Sequence, residues 1–155
     1  MIKIIRAGID KAEFVIEYVN RLLEELGDEP QTSAEADIEK IVDAWRENEN
    51  RFTVFIACDM NDQPAGVITL AECFAIYAGG NYGIINELYV SPEFRSREVG
   101  RRLLDTVKEY AVERGWKRID VTAPSGERWI RTVKFYEREG FIFTGPKLKY
   151  YLKID

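Results

Sequence analysis

The sequence predicts an α/β (α+β) fold with the element order β-α-α-β-β-β-α-β-α-β-β. Three observations support this fold class. Apolar residues recur at strand spacing in seven segments and at helical spacing in four others. Glycines and turn-forming residues separate these segments. The length of 155 residues, with 46% apolar and 32% charged residues, is typical of one globular protein, so residues 1–155 are expected to form a single domain.

The chain opens with a predicted strand and a predicted helix. The strand is "IKIIRA" at residues 2–7. Asp10 with Glu13 three residues later forms a capping box, which favours a helix start at Asp10. Gly27 is expected to end this helix. The helix is indicated by an apolar stripe of Val15, Tyr18, Val19, Leu22, Leu23 and Leu26.

A second helix and a hairpin are predicted next. Thr32 with Glu35 forms another capping box, and the apolar stripe that follows includes Trp45. The hydrophobic period then changes to that of strands at 51–58 and 65–77. The segment "DMNDQP" between them is rich in turn-forming residues and is expected to close the hairpin.

The second half of the chain repeats the alternation. A strand ending in "IINELYV" precedes a helix from about Val99 to Arg114, with Gly115 as its expected end. A strand at 116–123 and a short helix at 129–139 come next. The segments "FIFTG" and "KLKYYLKI" then predict a final hairpin.

The composition excludes several kinds of chemistry. The chain has no histidine, so a zinc hydrolase or a histidine-dependent triad is not expected, nor is any metal site. Cys58 and Cys73 lie in different segments and are expected to be reduced core residues. Acid–base chemistry therefore falls to Glu, Asp, Tyr, Lys, Cys or water.

Charge and hydropathy indicate which partners to expect. Residues 1–50 carry a net charge of −7 and the remaining 105 carry +2, so no broad positive surface for nucleic acid is predicted. No apolar run approaches the roughly 18 to 20 residues needed to cross a bilayer, and the N-terminal segment lacks the pattern of a signal peptide. A cytoplasmic protein without a membrane partner is the expectation.

The stretch "ELYVSPEFRSREVGRRLL", beginning at Glu87, runs from a strand through a loop into a helix. The start of a helix presents unpaired N–H groups and a partial positive charge, which suit a phosphate or pyrophosphate. A solvated basic helix start would explain the same charges, and neither a Walker P-loop nor a Rossmann fingerprint is present. The stretch carries four arginines, Arg95, Arg97, Arg101 and Arg102.

This stretch resembles the acetyl-CoA-binding motif of the GNAT N-acetyltransferase superfamily, in which a strand ends in a loop of the form Q/R-x-x-G-x-G/A. The later segment "KFYEREGF", residues 134–141, resembles the F-Y-x-x-x-G-F segment on the last helix of the same family. The two motifs have the family's usual order and separation, and the element order matches along the whole chain. The resemblance implies a mixed, mostly antiparallel, twisted sheet flanked by helices.

The resemblance also implies roles for individual residues. Leu88, Tyr89 and Val90 would offer backbone groups to the pantetheine arm of acetyl-CoA, which is the implied co-substrate. Glu87 would act as general base, directly or through water, and Tyr136 would protonate the departing thiolate. The pyrophosphate would be wrapped by Arg95, Ser96, Arg97, Glu98, Val99, Gly100 and Arg101.

Two departures from the family pattern bear on these roles. The first glycine of the loop is replaced by Glu98, which adds a negative charge and a Cβ near the expected phosphates. On the last helix, Trp129 and Thr132 stand where an asparagine and an alanine are frequent, which removes an expected polar contact to pantetheine. Structural explanations also stay open, because Glu87 fits a surface-facing strand residue and Tyr136 fits a packing residue.

The sequence therefore favours an acetyl-CoA-dependent N-acetyltransferase that moves an acetyl group directly to a primary amine of a small molecule or peptide. The acidic segment "EELGDEP" at 24–30 would attract a cationic amine, although a solvated helix face explains it equally well. Two alternatives stay open, a non-catalytic acyl-CoA-binding or regulatory module and an interaction domain that has lost CoA. A homodimer is also left open.

Overall fold

A computed structural model describes residues 1–27, 37–123, 129–145 and 147–152. The chain divides into two compact units, Met1–Val121 and Thr122–Asp155. The first unit contains the sheet and three helices. The second contains one helix and the C-terminal segment.

The first unit follows the predicted order of elements. Its strands are β1 (Ile2–Ala7), β2 (Phe52–Asp59), β3 (Pro64–Ala75), β4 (Gly80–Val90) and β5 (Ile119–Val121). Its helices are α1 (Ala12–Leu26), α2 (Ile38–Glu47) and α3 (Val99–Arg114). The bounds of α3 agree with the sequence prediction, and Gly27 and Gly115 end α1 and α3 in the left-handed conformation that glycine adopts most readily.

The five strands form one sheet in the order β1-β2-β3-β4-β5. The first four are antiparallel neighbours, and β5 joins β4 in parallel. The register between β3 and β4 shifts after the Thr69–Glu87 pair, because the next pair is Leu70 with Ile85 and Asn86 is left over. This bulge turns β4 just before the predicted base, Glu87.

Helices cover both faces of the sheet in the first unit. On one face, α1 and α2 pack on a core that includes Val54, Ile56 and Val67. On the other, Phe55 of β2 meets the Tyr110 ring of α3 edge-on, with 5.7 Å between ring centroids. Strands covered on both sides are apolar along their whole length, which explains the almost continuous burial of β2 and of the first half of β3.

Close packing joins β4 to the chain that leads into β5. A Cβ built on Gly83 would lie 2.2 Å from the Trp116 ring, so only glycine fits there. The Trp116 indole N–H donates to the Glu72 carboxylate at 2.5 Å, and the Gly83 N–H donates to the Arg118 carbonyl at 3.2 Å. Gly83 therefore lets the indole lie flat against the sheet where β5 begins.

Two predictions about the ends of helices have different outcomes. Asp10 does not cap α1: residues Ile9–Lys11 form a 3-10 turn, and α1 begins at Ala12 without a side-chain cap. The capping prediction was wrong because this turn takes up the residues that would have formed the first helical turn. The second capping box, Thr32 with Glu35, lies outside the described residues, and α2 begins at Ile38.

The predicted final hairpin is not formed in the described residues of 141–145 and 147–152. A strand is stable when it pairs with a neighbour and buries one face, and here the alternating apolar side chains stay exposed. The prediction of two further strands was therefore wrong for these residues. The exposed side chains include Ile142, Phe143, Leu148, Tyr150 and Leu152.

The second unit contains the helix α4 (Ile130–Arg138), which lies within the predicted range of 129–139. Tyr136 is the buried residue of this helix. Its ring contacts Phe135 and Phe141 edge-on, with centroid distances of 5.3 and 5.4 Å. The Phe141 N–H donates to the Tyr136 carbonyl at 3.0 Å, so the chain folds back over the ring after the helix ends.

Candidate active site

The strands β4 and β5 separate at the bulge. Their parallel pairing covers only Gly83 to Ile85 on β4, opposite Ile119 to Val121 on β5. Beyond Asn86, the described residues supply no strand partner to the side of β4 that faces away from β3. The last residues of β4 therefore have no strand partner on the side where β5 pairs with Gly83 to Ile85, and we call this side the free edge of β4.

The register decides which backbone groups point to that edge. The Ser91 N–H donates to the Ala65 carbonyl at 2.9 Å, so this pair is hydrogen-bonded and the pairs alternate back along β4. By that alternation, Leu88 and Val90 direct their N–H and C=O groups away from β3. The Val90 carbonyl accepts a hydrogen bond from Arg95 Nε at 2.9 Å on this side.

The loop after β4 leads the chain into α3 through two unusual residues. Ser96 and Glu98 both have positive φ, 69° and 61°, which is uncommon for residues other than glycine and asparagine. Glu98 is the N-cap of α3 but makes no side-chain capping bond. The Arg102 N–H donates to the Glu98 carbonyl at 3.0 Å, so the N–H groups of Val99, Gly100 and Arg101 precede the helical pattern and are free to bind an anion.

The four arginines of this stretch have different environments. Arg95 is held by Glu25 at the end of α1, with 2.7 and 2.9 Å from Nη2 to the two carboxylate oxygens. Arg102 donates to the Ile2 carbonyl of β1. Arg97 lies over the Phe94 ring at 5.5 Å, and Arg101 pairs with Glu98 at 3.3 Å on the surface. Arg95 and Arg102 are thus held by other elements of the fold. Arg97 and Arg101 contact residues of the same stretch, Phe94 and Glu98.

Glu87 points its carboxyl toward Thr69 of the neighbouring strand. The Thr69 hydroxyl donates to Glu87 Oε1 and accepts from the Glu87 N–H at 3.1 Å. Burial raises the pKa of the Glu87 carboxyl above its usual range, and the hydrogen bond from Thr69 opposes part of that rise. A carboxylate of raised pKa is a stronger base than an exposed glutamate, so the environment of Glu87 suits proton abstraction.

A pocket of about 510 Å³ opens beside Glu87. Helices α1 and α2 form one wall and strands β2 to β4 form the other. Most of the lining is apolar, and the polar side chains besides Glu87 are Asn48, Arg51 and Glu72. This volume lies in the range of small-molecule sites. The apolar lining consists of Val15, Ile16, Val19, Ile41, Ala44, Trp45, Phe52 and Ala71, with Cys73 beside them.

A sequence model of the acetyltransferase (GNAT) family matches residues 17–141 of the chain, which is more than half of its length. The chain belongs to the GNAT family.

Curated relatives are named as N-acetyltransferases. An uncharacterized N-acetyltransferase of Archaeoglobus fulgidus is 34% identical over 82 residues, which are 53% of this chain and 47% of that protein. One of Methanocaldococcus jannaschii is 30% identical over 89 residues, which are 56% of this chain and 38% of that protein. The chain thus spans less than half the length of these two relatives.

Solved structures share the GNAT fold. A GCN5-related N-acetyltransferase from Ralstonia eutropha superposes with a TM-score of 0.80 at 21% identity, covering 97% of this chain and 99% of that one. A predicted acetyltransferase of Clostridium acetobutylicum, solved with acetyl-CoA, superposes with a TM-score of 0.77 at 19% identity, covering 97% of this chain and 96% of that one. The predicted fold class, a mostly antiparallel mixed sheet with helices, is confirmed.

Acetyl-CoA is the co-substrate of GNAT enzymes, and the first unit offers groups that fit it. The N–H and C=O groups of Leu88 and the N–H group of Val90 would pair with the amides of pantetheine, while the Val90 carbonyl is held by Arg95. The N–H groups of Val99, Gly100 and Arg101, with the positive end of the α3 dipole, would hold the pyrophosphate. The residues therefore fit the group, and bound acetyl-CoA would supply the activated acetyl carbonyl.

Tyr136 lies in the second unit, where burial raises the pKa of its phenol well above the usual value. Its hydroxyl therefore stays protonated at physiological pH, as a proton donor must. Its proposed role in a GNAT reaction stays a prediction.

Sequence reasoning missed residues that support the GNAT site from a distance in the chain. Thr69 is 1% exposed and holds Glu87, and Glu25 anchors Arg95. Tyr18 of α1 shares a buried hydrogen bond of 2.9 Å with Ser91, directly after β4. A lone threonine in the apolar run "GVITLA" was the one local signal, since a polar residue inside a buried strand needs a partner.

No helix in the described part of the chain is both long and apolar enough to span a membrane. Across the same residues, no three candidate side chains come together in a way that could hold a metal ion.

Proposed function

We propose that the chain is an acetyl-CoA-dependent N-acetyltransferase that moves an acetyl group directly to a primary amine of a small molecule or peptide. The observation that carries this proposal is the position of Glu87. Its carboxyl, with a raised pKa, borders a pocket of small-molecule size on one side of β4. The free backbone edge of the same strand begins at the next residue, Leu88.

Glu87 is the proposed base. A primary alkylamine has a pKa of about 10.4 in water and attacks only as the neutral amine. The amine nitrogen forms a bond to the acetyl carbon, the carbon–sulfur bond breaks, and the amine proton passes to Glu87 directly or through one water. General-base help of this kind contributes roughly 10²- to 10⁴-fold in rate. A backbone N–H of the free edge, at Leu88 or Val90, would stabilise the developing oxyanion.

Tyr136 is the proposed acid. Its phenol would give a proton to the sulfur as the thiolate departs, which balances the proton that Glu87 takes up. Burial raises the pKa of this phenol, so the hydroxyl is protonated at neutral pH, but it is a weaker acid than an exposed tyrosine and gives up its proton only as negative charge develops on the sulfur. The resemblance of "KFYEREGF" to the family segment supports the role.

One observation favours a second candidate function, a non-catalytic acyl-CoA-binding module. Glu98 occupies the first glycine position of the loop in a left-handed conformation and brings a carboxylate to the proposed pyrophosphate site. Arg95 is also held by Glu25 instead of being free for phosphate. Such a module would bind CoA without turning it over.

Two measurements on the full chain separate these functions. Isothermal titration with CoA tests for the nucleotide site, and release of free thiol from acetyl-CoA is then followed with a panel of primary amines. The proposed function requires both CoA binding and amine-dependent thiol release. Binding without release for any amine would favour the non-catalytic module, and no binding at all would leave only an interaction domain.

A further inference from the structure

The charges that line the pocket beside Glu87 do not suit a polycation. Its charged lining residues are Arg51, Glu72 and Glu87. Glu72 is already neutralised, since Arg114 Nη2 lies 2.8 Å from its carboxylate. Hydrogen bonds from Arg114, and also from Trp116, lower the pKa of the Glu72 carboxyl. Among the described residues, no lysine or arginine pairs with Glu87, so it is the one lining carboxylate available to a substrate cation.

The described part of the acidic segment, residues 24–27, does not contribute to this lining. Neither Glu24 nor Glu25 lines the pocket, and Glu25 is paired with Arg95. Glu17 of the same helix is paired with Arg21 at 2.9 Å. A polyamine or an aminoglycoside carries several positive charges, and each needs an anionic or polar partner when it leaves water. Among the described lining residues, the pocket offers one free anionic partner, Glu87. The Asn48 amide already bonds to the Ala44 carbonyl and to Arg51.

The apolar part of the lining is suited to a ring. Trp45 of α2 and Phe52 of β2 meet edge-on with 5.0 Å between their centroids. Val15, Val19 and Ile41 line the helical wall beside Trp45. An aromatic body on this surface would be removed from water, at a gain of roughly 25 cal/mol for each Å² of apolar area buried. The pocket of about 510 Å³ can hold one or two fused rings with a short alkyl chain.

We propose that the acceptor of this site is an arylalkylamine: a single primary amine, directed at Glu87, on an aromatic body that lies against Trp45 and Phe52. This inference rests on the proposed function for the transfer step, but the binding preference that it states is independent of turnover. It favours an amine with one positive charge over a polycationic substrate.

The test measures binding and transfer separately on the full chain. Isothermal titration with phenethylamine and tryptamine is compared with putrescine and spermidine, in moderate salt that screens non-specific attraction. The arylalkylamines should bind at least about 10-fold more tightly than spermidine, as expected for burial of one ring. Tighter binding of spermidine, or no binding of either arylalkylamine, would overturn the inference.

A matched pair of variants tests the location. Ala44 is exposed and lines the pocket from α2, so Ala44→Trp should fill it without disturbing the core. Glu47→Trp places the same ring on the same helix outside the lining. Phenethylamine affinity should fall roughly 10-fold or more in the first variant and stay unchanged in the second. Equal affinity in both variants would show that the amine binds elsewhere.

Thiol release from acetyl-CoA is followed in parallel with the same four amines. Arylalkylamine binding without any acetyl transfer would overturn the proposed function while the binding preference stands. Transfer to spermidine in preference to phenethylamine would overturn the preference while the proposed function stands.

Discussion

Two side chains are central at the scale of single residues, Glu87 and Tyr136, and burial affects them in the same direction. It raises the pKa of both groups, so the Glu87 carboxylate becomes a stronger base, while the Tyr136 phenol stays protonated and becomes a weaker acid. With no histidine in the chain, we propose that a half-buried carboxylate and a buried phenol supply the acid–base chemistry that histidine often supplies. Each role leads to one substitution.

Glu87→Gln should lower activity and raise stability at neutral pH. The folded state holds the Glu87 pKa above its unfolded value, so ionisation of Glu87 disfavours folding. Stability is therefore lost as the pH rises from the ordinary pKa of glutamate to the raised value. Glutamine does not ionise, so the variant keeps its stability across this pH range. Melting temperatures of parent and variant should therefore diverge as the pH rises through the range, and the variant should be the more stable protein above it.

The activity of the same variant follows from the same shift. In the parent, kcat/KM should rise with pH as Glu87 loses its proton, at a pH above that of an ordinary glutamate, and the variant should fall about 10²-fold or more at the plateau. Glu109→Gln, an exposed position on α3, is the matched control and should change neither profile. If Glu87→Gln kept the parent's pH profile, the base would be another group.

Tyr136→Phe should reduce turnover by roughly 10-fold or more with little change in acetyl-CoA affinity. The substitution keeps the ring that packs against Phe135 and Phe141, so the melting temperature should hardly change. Tyr150→Phe, at an exposed tyrosine, is the control. Unchanged turnover in Tyr136→Phe would mean that the tyrosine only packs and that water supplies the proton.

At the scale of elements, two junctions shape the site: the loop that starts α3 and the contact that aligns β5 with β4. In the first, a glutamate adopts the conformation of a glycine. In the second, a glycine is required because an indole occupies the space of a side chain. Helix and strand propensities predict neither junction, because each junction depends on the conformation or the space at one backbone position.

Glu98→Gly should bind CoA at least as tightly as the parent. Glycine removes a carboxylate from the proposed pyrophosphate site and relieves about 1 kcal/mol of left-handed backbone strain. The exposed pair with Arg101 is lost at small cost. Titration with CoA measures the effect, and Glu98→Gln separates charge from backbone because it keeps the Cβ. Weaker binding in the glycine variant would give Glu98 a positive role in ordering the loop.

Gly83→Ala should destabilise the first unit by about 2 kcal/mol, because the new methyl group would collide with the Trp116 ring. Urea unfolding measures the change. Asn81→Ala, at an exposed position on the same strand, should stay within about 0.5 kcal/mol of the parent. Equal stability of the two variants would show that Trp116 moves aside without cost.

At the scale of the whole molecule, the family match over residues 17–141 includes parts of both compact units. The sheet unit carries the proposed base, the free edge of β4 and the loop before α3, and the second unit carries the proposed acid. The chain is acidic overall, with a net charge of −5, so attraction of an anionic nucleotide depends on local groups.

Acetyl-CoA should raise the melting temperature of the full chain by roughly 5–10 °C at a concentration about 100 times its Kd. The shift should shrink as salt is increased, because Arg97, Arg101 and the start of α3 act on the phosphates through exposed charges. Differential scanning fluorimetry measures both effects. No shift at millimolar acetyl-CoA would mean that the pyrophosphate site is not intact.

Much of the fold could be predicted because its signals are local. The strand 2–7, the helix Val99–Arg114 and the glycines that end α1 and α3 follow from hydrophobic period and backbone freedom within a few residues. The prediction of the final hairpin rested on the same kind of local signal and was wrong for the described residues. An alternating pattern shows what a strand would bury but does not supply the neighbour that it must pair with.

The sequence by itself determined the order of the elements as far as α4, the position of Glu87 near the end of β4 and the loop that starts α3. The tertiary structure decided what surrounds them. Thr69 meets Glu87 across 18 positions of the chain, and Glu25 holds Arg95 across 70. Sheet register and the packing of α1 and α2 create these contacts and the apolar pocket. Local residue patterns cannot encode them, because the pKa of Glu87 and the character of the pocket depend on residues brought together only by folding.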